Sequence, residues 1–461
     1  MADITPEELA ETRSADRPFF SKEAWVFAFV AVALPNILFV LASFFVIPIR
    51  TFAIPAYFLF AILAPRLPAA LIAVGAFVIL LIDILLVVSS LFDLAPTLAL
   101  QSVVYMVKLD VFSSTTYLVA GIAFVLTTSL YIWLLISNRT AFRNVSLIPA
   151  ILGCFLLMAG EFAFNIIPKG KLSHLSASED HFESAVTKVN LLPTPASAST
   201  PQQDVLIVML EGFGAFKSQQ LRDVFWDQLK TADITERYEI SDGTSAYHGS
   251  TTAAEARELC GEWADFTSYL TADRYECLPA KFADLGYQTT AFHAFTHQFF
   301  DRDIWLPRIG FQDLVFMENL AKRNDMPKRF CGLTFKGFCD ADLAKIVKAH
   351  LLEDLGKPKF TYWLTLNTHV PIAPEEAPDR LDCSGETPFI DPSLCRMSAM
   401  WLDVIEDVKQ MALHPDLADT HIILVGDHHP PIWNRAAKAL FKPGEVGWIS
   451  LKPHNRTTAP G

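Results

Sequence analysis

The sequence predicts two structural parts, an α-helical membrane domain of five spans followed by an α/β soluble domain with a mainly parallel central sheet. The 461 residues are 52% hydrophobic and have a mean hydropathy of +0.31, which is too apolar for an ordinary soluble protein of this size. Runs long enough to span a bilayer are confined to the first 167 residues. After them, buried-strand patterns alternate with helical patterns.

Four apolar runs reach the roughly 20 residues that a helix needs to cross a bilayer: Ala24–Ile47, Leu67–Phe92, Ser114–Ile136 and Val145–Ile167. Thr51–Pro65 is apolar but short, and is either a thin fifth span or the lead-in to the next helix. Five spans with a cytoplasmic N-terminus leave only Arg50 and Lys108 as basic residues in outer loops, which satisfies the positive-inside bias. We therefore predict five spans, with everything after Ile167 outside.

Two carboxylates, Asp83 and Glu161, lie inside predicted spans, where an ionisable group is costly unless it has a partner. One interpretation is a contact with a lipid headgroup or with the soluble domain. The other is a position close enough to the interface to be wetted by water. The sequence leaves both open.

The chain after residue 167 is acidic and holds most of the cysteines. Its 29 Lys and Arg against 40 Asp and Glu argue against a nucleic-acid binder held by phosphate contacts. Cys154 lies in an apolar run, and the other six cysteines form an even set that indicates disulfides and an oxidising compartment. Proximity in sequence, which is only a guide to connectivity, predicts the pairs Cys260–Cys277, Cys331–Cys339 and Cys383–Cys395.

The two parts are joined by a connector. Lys169–Leu192 is amphipathic, and Pro193–Gln203 has the Pro/Ser/Thr composition of a semi-rigid linker. The predicted organisation is therefore a transmembrane domain over residues 1–168, a connector and linker over 169–203, and a soluble domain over 204–461.

Four apolar runs in the soluble part are typical of strands buried on both faces of a parallel sheet: Asp204–Leu210, Gln288–His293, Phe360–Leu366 and Thr420–Gly426. Helical patterns such as Ala253–Glu262 and Arg396–Met411 lie between them. Ligands bind beyond the carboxyl ends of the strands in such sheets. The candidate site residues are therefore the polar residues at these ends: Glu211, His293, Asn367, Thr368, His369, Asp427, His428 and His429.

Glu211, Asp427 and His428 supply two carboxylates and an imidazole, a set that suits a divalent metal but lacks one ligand. A hydroxyl from the helix that opens near Thr251 could be the fourth ligand, and it could also serve as a nucleophile that carries a phosphorylated intermediate. Thr252 and Glu255 also fit a capping box. That box would turn Thr252 back onto the helix and leave Thr251 free to face the strand ends.

Four motifs occur in order along the chain: LEGF at Leu210–Phe213, GSTTAAE at Gly249–Glu255, NTHVP at Asn367–Pro371 and VGDHH at Val425–His429. Together with the membrane spans, they resemble the alkaline-phosphatase/sulfatase superfamily, and within it the lipoteichoic-acid-synthase-like phosphoglycerol transferases and the phosphoethanolamine transferases. The resemblance implies an alkaline-phosphatase-like fold and one divalent ion (Mn, Mg or Zn). It also implies these site residues: Thr251 as nucleophile; Glu211, Thr251, Asp427 and His428 as metal ligands; His293, Arg302 and His369 as contacts to the substrate phosphate.

Two departures from the family motifs bear on whether the chain resembles the phosphoglycerol or the phosphoethanolamine transferases more. The Gram-positive polymerases of this family carry a Trp two residues before the Arg that corresponds to Arg302. That position is Phe300 here, with Trp305 nearby, so glycerol recognition could differ. The His that the phosphoethanolamine branch carries shortly beyond the Asp-His pair is missing, since His454 is the next His after His429. This second departure favours phosphoglycerol.

Two relatives are excluded on chemistry. A two-zinc phosphatase would need a second Asp/His cluster with the two residues four apart, and Thr365 occupies that position relative to His369. Sulfatases mature a Cys or Ser within C-x-P-x-R, whereas Cys277–Lys281 ends in Lys.

The resemblance implies a membrane-bound transferase that moves a phospholipid headgroup, through a phospho-Thr intermediate, to an external glycan or glycolipid. Its partners would be a phospholipid donor, that acceptor and the membrane, with no nucleic acid. It would be a multi-pass protein of the inner (plasma) membrane with a periplasmic or extracellular catalytic domain. The alternatives are phosphoethanolamine transfer to lipid A or a glycan, hydrolysis of the same intermediate by water, and a catalytically silent membrane scaffold.

Overall fold

The structure is a computed structural model that describes residues 19–42, 50, 52–91, 94–164, 182–191, 203–385, 387–432 and 434–454. The chain forms two compact units, Met1–Leu91 with Thr116–Ile167, and Phe92–Thr115 with Pro168–Gly461. The segment Phe92–Thr115 therefore groups with the soluble unit, although it lies between apolar helices in the sequence.

The first unit is helical. Three of its helices are long and apolar enough to cross a membrane, Lys22–Ala42, Ala69–Leu91 and Thr115–Ser137. Ala53–Arg66 and Ile148–Ala163 are shorter apolar helices, and the ends of the predicted spans Ala24–Ile47 and Val145–Ile167 lie outside the described residues. Three candidate spans are therefore established, and the count of five stays a prediction.

Arg50 lies outside the helices but is buried within the first unit, and its predicted place on the outer side of the membrane stays a prediction. Its side chain is 2% exposed and binds Asp83 through two guanidinium nitrogens, with Nε 2.9 Å from Oδ1. The backbone N–H of Arg50 donates to Glu161 Oε2 at 2.9 Å. The two carboxylates inside the apolar helices thus share a cationic partner within the protein, which offsets the cost of burying them.

The strands described in the second unit are β1 Val205–Leu210, β2 Gly214–Phe216, β3 Tyr238–Ala246, β4 Gln288–His293, β5 Asp313–Val315, β6 Phe330–Cys331, β7 Gly337–Phe338, β8 Lys359–Leu364, β9 His421–Gly426 and β10 Phe441–Pro453. Eight of them form one sheet with the order β2-β10-β9-β1-β8-β4-β5, in which β3 also pairs with β10. Strands β9, β1, β8, β4 and β5 are parallel, and β10 is antiparallel to its neighbours. The four predicted strands are confirmed, and β6 and β7 form a separate hairpin.

Apolar cores lie on both faces of this sheet. All six residues of β1 are buried, and alternate positions such as Ile207 and Val208 enter opposite cores, as strand geometry requires. The predicted helical patterns are confirmed by helices Thr251–Leu259 and Pro392–Ala412. The other α-helices of this unit are Pro96–Gln101, Ala185–Lys188, Gln219–Trp226, Ala232–Thr235, Leu278–Asp284, Arg302–Arg308, Met317–Leu320, Asp340–Leu352 and Arg435–Lys438.

The connector is described only over residues 182–191, where Ala185–Lys188 forms one helical turn. Most of the predicted linker Pro193–Gln203 lies outside the described residues. The linker and the predicted domain boundaries therefore stay predictions.

All three predicted disulfides are confirmed. Their cysteines are 17, 8 and 12 residues apart in the pairs Cys260–Cys277, Cys331–Cys339 and Cys383–Cys395. Cys154 is a buried free thiol of the first unit. Cross-links of this kind form and persist in oxidising compartments.

Candidate metal centre and active site

The ends of two neighbouring strands bring the predicted carboxylates together. Strands β1 and β9 are parallel and pair Leu210 with Gly426, so Glu211 and Asp427 leave the sheet side by side. Thr251 is the first residue of helix Thr251–Leu259, and its side chain reaches this same point.

Three side chains converge on the Thr251 hydroxyl. Its Oγ1 lies 3.0 Å from Asp427 Oδ2, 3.3 Å from Glu211 Oε2 and 3.3 Å from His428 Nε2. One ligand atom each from Glu211, Asp427 and His428 lies within 4.8 Å of the others. The structure therefore assembles the four residues that the sequence analysis assigned to the metal.

Backbone contacts orient these ligands. Asp427 Oδ1 accepts hydrogen bonds from the N–H groups of Gly212 at 2.7 Å and His428 at 2.6 Å, which leaves Oδ2 facing Thr251. His428 Nδ1 lies 2.8 Å from the carbonyl oxygen of His429. Because a carbonyl only accepts, Nδ1 carries the proton and Nε2 presents its lone pair to the cluster, the usual arrangement of a metal-bound imidazole.

The residues present fit a divalent cation. Glu211 and Asp427 are 2% and 0% exposed, and Glu211 Oε1 has no hydrogen-bond partner among the described residues. Burial raises the pKa of Glu211 well above its usual value, and the neighbouring Asp427 raises it further. Two buried carboxylates side by side need a positive charge, and three oxygen donors with one imidazole suit Mn²⁺, Mg²⁺ or Zn²⁺.

The start of the helix differs from the predicted capping box. Ser250 is the N-cap residue, the helix begins at Thr251, and the buried Thr252 hydroxyl has no hydrogen-bond partner among the described residues. Glu255 does not reach back to the helix start. Thr251 still faces the carboxylates, but because it occupies the first helical position and not because Thr252 forms a cap.

Glu255 instead holds Arg302, one of the predicted substrate contacts. Arg302 Nε lies 3.2 Å from both carboxylate oxygens, Nη2 lies 2.9 Å from Oε2, and the Tyr362 hydroxyl donates to Oε1 at 3.2 Å. The side chains of Arg302 and Glu255 are 3% and 0% exposed. This buried pair connects the helix that carries Thr251 to the helix that begins at Arg302.

Of the two predicted substrate histidines, His293 is buried at the end of β4, and His369, beyond the end of β8, is 22% exposed. His369 Nε2 lies 3.3 Å from Glu211 Oε2, and its ring stacks on Phe335 at 3.9 Å. His293 Nδ1 donates to the Leu364 carbonyl at 3.0 Å. Burial lowers the pKa of His369 to about 3 and that of His293 well below its usual value, so both are neutral hydrogen-bonding groups near neutral pH.

Phe300 and Trp305 have different surroundings. Phe300 lies in the left-handed region at φ 56°, next to Asp301 at φ 50°, and its ring is 5.9 Å from the Arg302 guanidinium. Trp305 is fully buried and donates to the Phe300 carbonyl at 3.0 Å. Trp305 is therefore a core residue and cannot replace the missing Trp of the polymerases in contacting substrate.

Two residues beside the site were missed by the sequence analysis. Arg257 is 1% exposed and donates to the carbonyls of Gly426 at 2.8 Å and Asp427 at 3.2 Å. Glu258 accepts from Arg257 Nε at 2.7 Å and from the N–H groups of Ala185 and Val186. Apart from the bond between the neighbours Arg257 and Glu258, these contacts join residues more than 70 positions apart. They fix the end of β9 but leave no local pattern in the sequence.

The profile of the sulfatase family matches residues 203–448, which is more than half of the chain. The chain belongs to the sulfatase family. This sulfatase-family protein is thus a member of the alkaline-phosphatase/sulfatase superfamily, as its four motifs indicate. Its Cys277 forms a disulfide with Cys260, so it is not a free thiol that could be matured as in sulfatases.

Several solved structures are similar to this sulfatase-family protein. The lipooligosaccharide phosphoethanolamine transferase EptA of Neisseria meningitidis is 11% identical over 91% of this chain and 88% of its own, with a TM-score of 0.45. The lipoteichoic acid synthase LtaP of Listeria monocytogenes is 16% identical over 56% of this chain and 67% of its own, with a TM-score of 0.41. The Streptococcus pyogenes phosphoglycerol transferase GacH, in complex with sn-glycerol-1-phosphate, is 14% identical over 54% of this chain and 68% of its own, with a TM-score of 0.38. Comparison with curated proteins finds no match.

Proposed function

We propose that this protein is a metal-dependent transferase that moves a phospholipid headgroup to an external glycan or glycolipid through a phosphorylated Thr251. The observation that carries this proposal is the Thr251 hydroxyl lying 3.0–3.3 Å from two carboxylates and an imidazole. Membership of the sulfatase family supports a phosphoester-related reaction. The apolar helices support a substrate drawn from a membrane.

The roles of the residues follow from their positions. Thr251 Oγ would attack the phosphorus while the bond to the diacylglycerol oxygen breaks, and the proton lost by Thr251 would end on the released diacylglycerol. An acceptor hydroxyl would then attack the same phosphorus, the bond to Thr251 would break, and the acceptor's proton would return to Thr251. A divalent ion held by Glu211, Thr251, Asp427 and His428 would lower the pKa of the nucleophile and neutralise phosphate charge. Arg302 and neutral His293 and His369 would stabilise charge on the transferred group.

We infer five membrane spans and a catalytic domain in the periplasm or outside the cell. The three disulfides support an oxidising compartment, and an odd number of spans with an internal N-terminus places the C-terminal domain there. A reporter fused after Gly461 that is active only in the cytoplasm would contradict this topology.

Phosphoglycerol is the favoured headgroup because no His follows the Asp427–His428 pair closely, His454 being the next after His429. Purified protein incubated with labelled phosphatidylglycerol or phosphatidylethanolamine should release diacylglycerol from the first and pass the label to an acceptor. Turnover of phosphatidylethanolamine alone would identify the other headgroup. Label released as a free headgroup phosphate would indicate a hydrolase, and no diacylglycerol from either lipid would indicate a silent scaffold.

A pair of adjacent variants tests the nucleophile. Thr251→Ala should abolish turnover and the covalent phospho-enzyme, and should also weaken metal binding through the loss of one ligand. Thr252→Ala is the matched control: its hydroxyl has no hydrogen-bond partner among the described residues, so activity should be kept and little stability lost. Phosphate trapped on Thr252 or Ser250 would contradict the assignment, as would normal turnover by Thr251→Ala.

A further inference from the structure

We propose that residues 94–113, here called the strap, form a membrane-surface element whose outer apolar face inserts into the lipid interface. The strap belongs to the second unit although it lies between two apolar helices of the first. The surface formed by the strap does not depend on which reaction the candidate site performs.

The inner face of the strap is fixed to the second unit. Leu98 is 8% exposed and lies in one of the two cores of that unit. The Tyr105 hydroxyl donates to Asp301 Oδ2 at 2.7 Å, the backbone N–H of Asp110 donates to the Thr334 carbonyl at 2.9 Å, and Ser113 Oγ donates to the Leu333 carbonyl at 2.7 Å. The strap is therefore an ordered part of this unit.

The outer face of the strap is apolar as well. Val107 is 82% exposed, Phe112 80%, Val104 66% and Leu100 62%, and Val103 and Met106 are each half exposed. A segment that covers the core of a soluble domain normally presents polar side chains to water. So many large apolar side chains in one short stretch mark a surface made for an apolar partner.

Chain continuity identifies that partner as the lipid bilayer. The strap is preceded by helix Ala69–Leu91 and followed by helix Thr115–Ser137, both long and apolar enough to cross a membrane. Both ends of the strap must therefore lie within a few residues of the bilayer surface. Apolar side chains at that depth, flanked by the charged Lys108 and Asp110, have the character of an interfacial element.

The strap also contacts the turn that precedes Arg302. Its Tyr105 holds Asp301 by a hydrogen bond, and the Tyr105 ring packs on Phe299 and Phe300 at 5.8 and 5.2 Å. Asp301 and Phe300 are the two adjacent residues with left-handed backbone. A lipid-inserted strap would thus keep the turn beside the candidate site at the membrane surface.

Depth-dependent quenching tests the proposal on the full-length protein. A fluorophore sensitive to polarity would be attached at Val107→Cys in a Cys154→Ala background, and the protein reconstituted into phosphatidylcholine vesicles containing a nitroxide-labelled lipid. Leu352→Cys is the matched control, because it is an exposed aliphatic position of the same unit outside the strap. The label at 107 should be blue-shifted and quenched severalfold more strongly than the label at 352. Equal quenching at the two positions would overturn the proposal.

A paired variant gives a second readout that separates this proposal from the transferase. Val104→Glu with Val107→Glu should sharply reduce turnover of phospholipid in vesicles and leave cleavage of a soluble phosphodiester, bis-(p-nitrophenyl) phosphate, unchanged. Unaltered turnover of vesicle lipid would count against insertion. If the unmodified protein turns over neither compound, the proposed function fails, while the quenching result still decides whether the strap enters the lipid.

Discussion

Glu255→Gln should loosen the pair of helices that meet at the buried Glu255–Arg302 contact. The substitution keeps the size of the side chain and removes its negative charge. The Arg302 side chain is 3% exposed, so its guanidinium cannot turn to water when its partner is neutralised. The change in stability on Glu255→Gln therefore reports the loss of the negative charge and not a loss of packing.

The size of the effect follows from burial. Removing one partner of a buried ion pair leaves an uncompensated charge and costs about 3–5 kcal/mol. Asp342→Asn is the matched control: Asp342 is also buried, but its partners Arg329 and Lys345 are 63% and 73% exposed. Those cations can return to water, so the control should cost no more than about 1 kcal/mol.

Hydrogen exchange of the full-length protein measures the difference locally. If amides exchange through local opening, a loss of 3–5 kcal/mol accelerates exchange roughly 100- to 4,000-fold in helices Thr251–Leu259 and Arg302–Arg308. Asp342→Asn should leave these helices almost unchanged. Similar exchange of the two helices in both variants would refute the view that Glu255 compensates a desolvated Arg302.

Three other predictions concern stability. Chelation of divalent ions should lower the unfolding temperature, since an ion present at 100 times its Kd stabilises by about 2.7 kcal/mol; an Asp427→Asn protein that responds equally to the chelator would argue against this centre. Burial, together with Asp403, raises the pKa of Asp407 to about 7, so between about pH 4 and 7 the folded state holds a proton that the unfolded state releases. The free energy of unfolding should therefore fall as pH rises from about 4 to 7. Asp407→Asn should flatten this dependence in unfolding titrations. Replacing Cys260 and Cys277 by Ser opens a link between cysteines 17 residues apart and should cost about 3 kcal/mol in unfolding experiments, whereas an unchanged stability would mean that the bond constrains little.

The strand ends could be predicted from the sequence because burial on both faces of a parallel sheet leaves continuous apolar runs such as Val205–Leu210. The polar residues directly after those runs, Glu211 and Asp427, then had to share one edge of the sheet. The positions of the metal-ligand candidates therefore follow from strand pattern and sheet geometry, with the family motifs supplying the roles.

The prediction of a capping box at Thr252 was wrong because its sequence signature is short and local, whereas the contact that Glu255 makes instead is with a residue distant in sequence. Glu255 stands three residues after Thr252, yet it binds Arg302, which is 47 residues further along the chain. The several charge-assisted hydrogen bonds of the buried Glu255–Arg302 pair stabilise more than a single capping hydrogen bond at the helix start would. The strap was missed for a related reason, since an apolar stretch between apolar helices does not reveal which unit it packs against.

The order of the cysteines has a consequence for how the protein is made. In the second unit every cysteine bonds to the next one along the chain, so no disulfide is interleaved with another or encloses another. Each pair is complete within 17 residues of its first member. If the second unit is exported as proposed above, an oxidant that joins cysteines in the order in which they cross the membrane would produce the native set directly. We therefore expect biogenesis of the catalytic unit to require a disulfide-forming enzyme but not a disulfide-rearranging one.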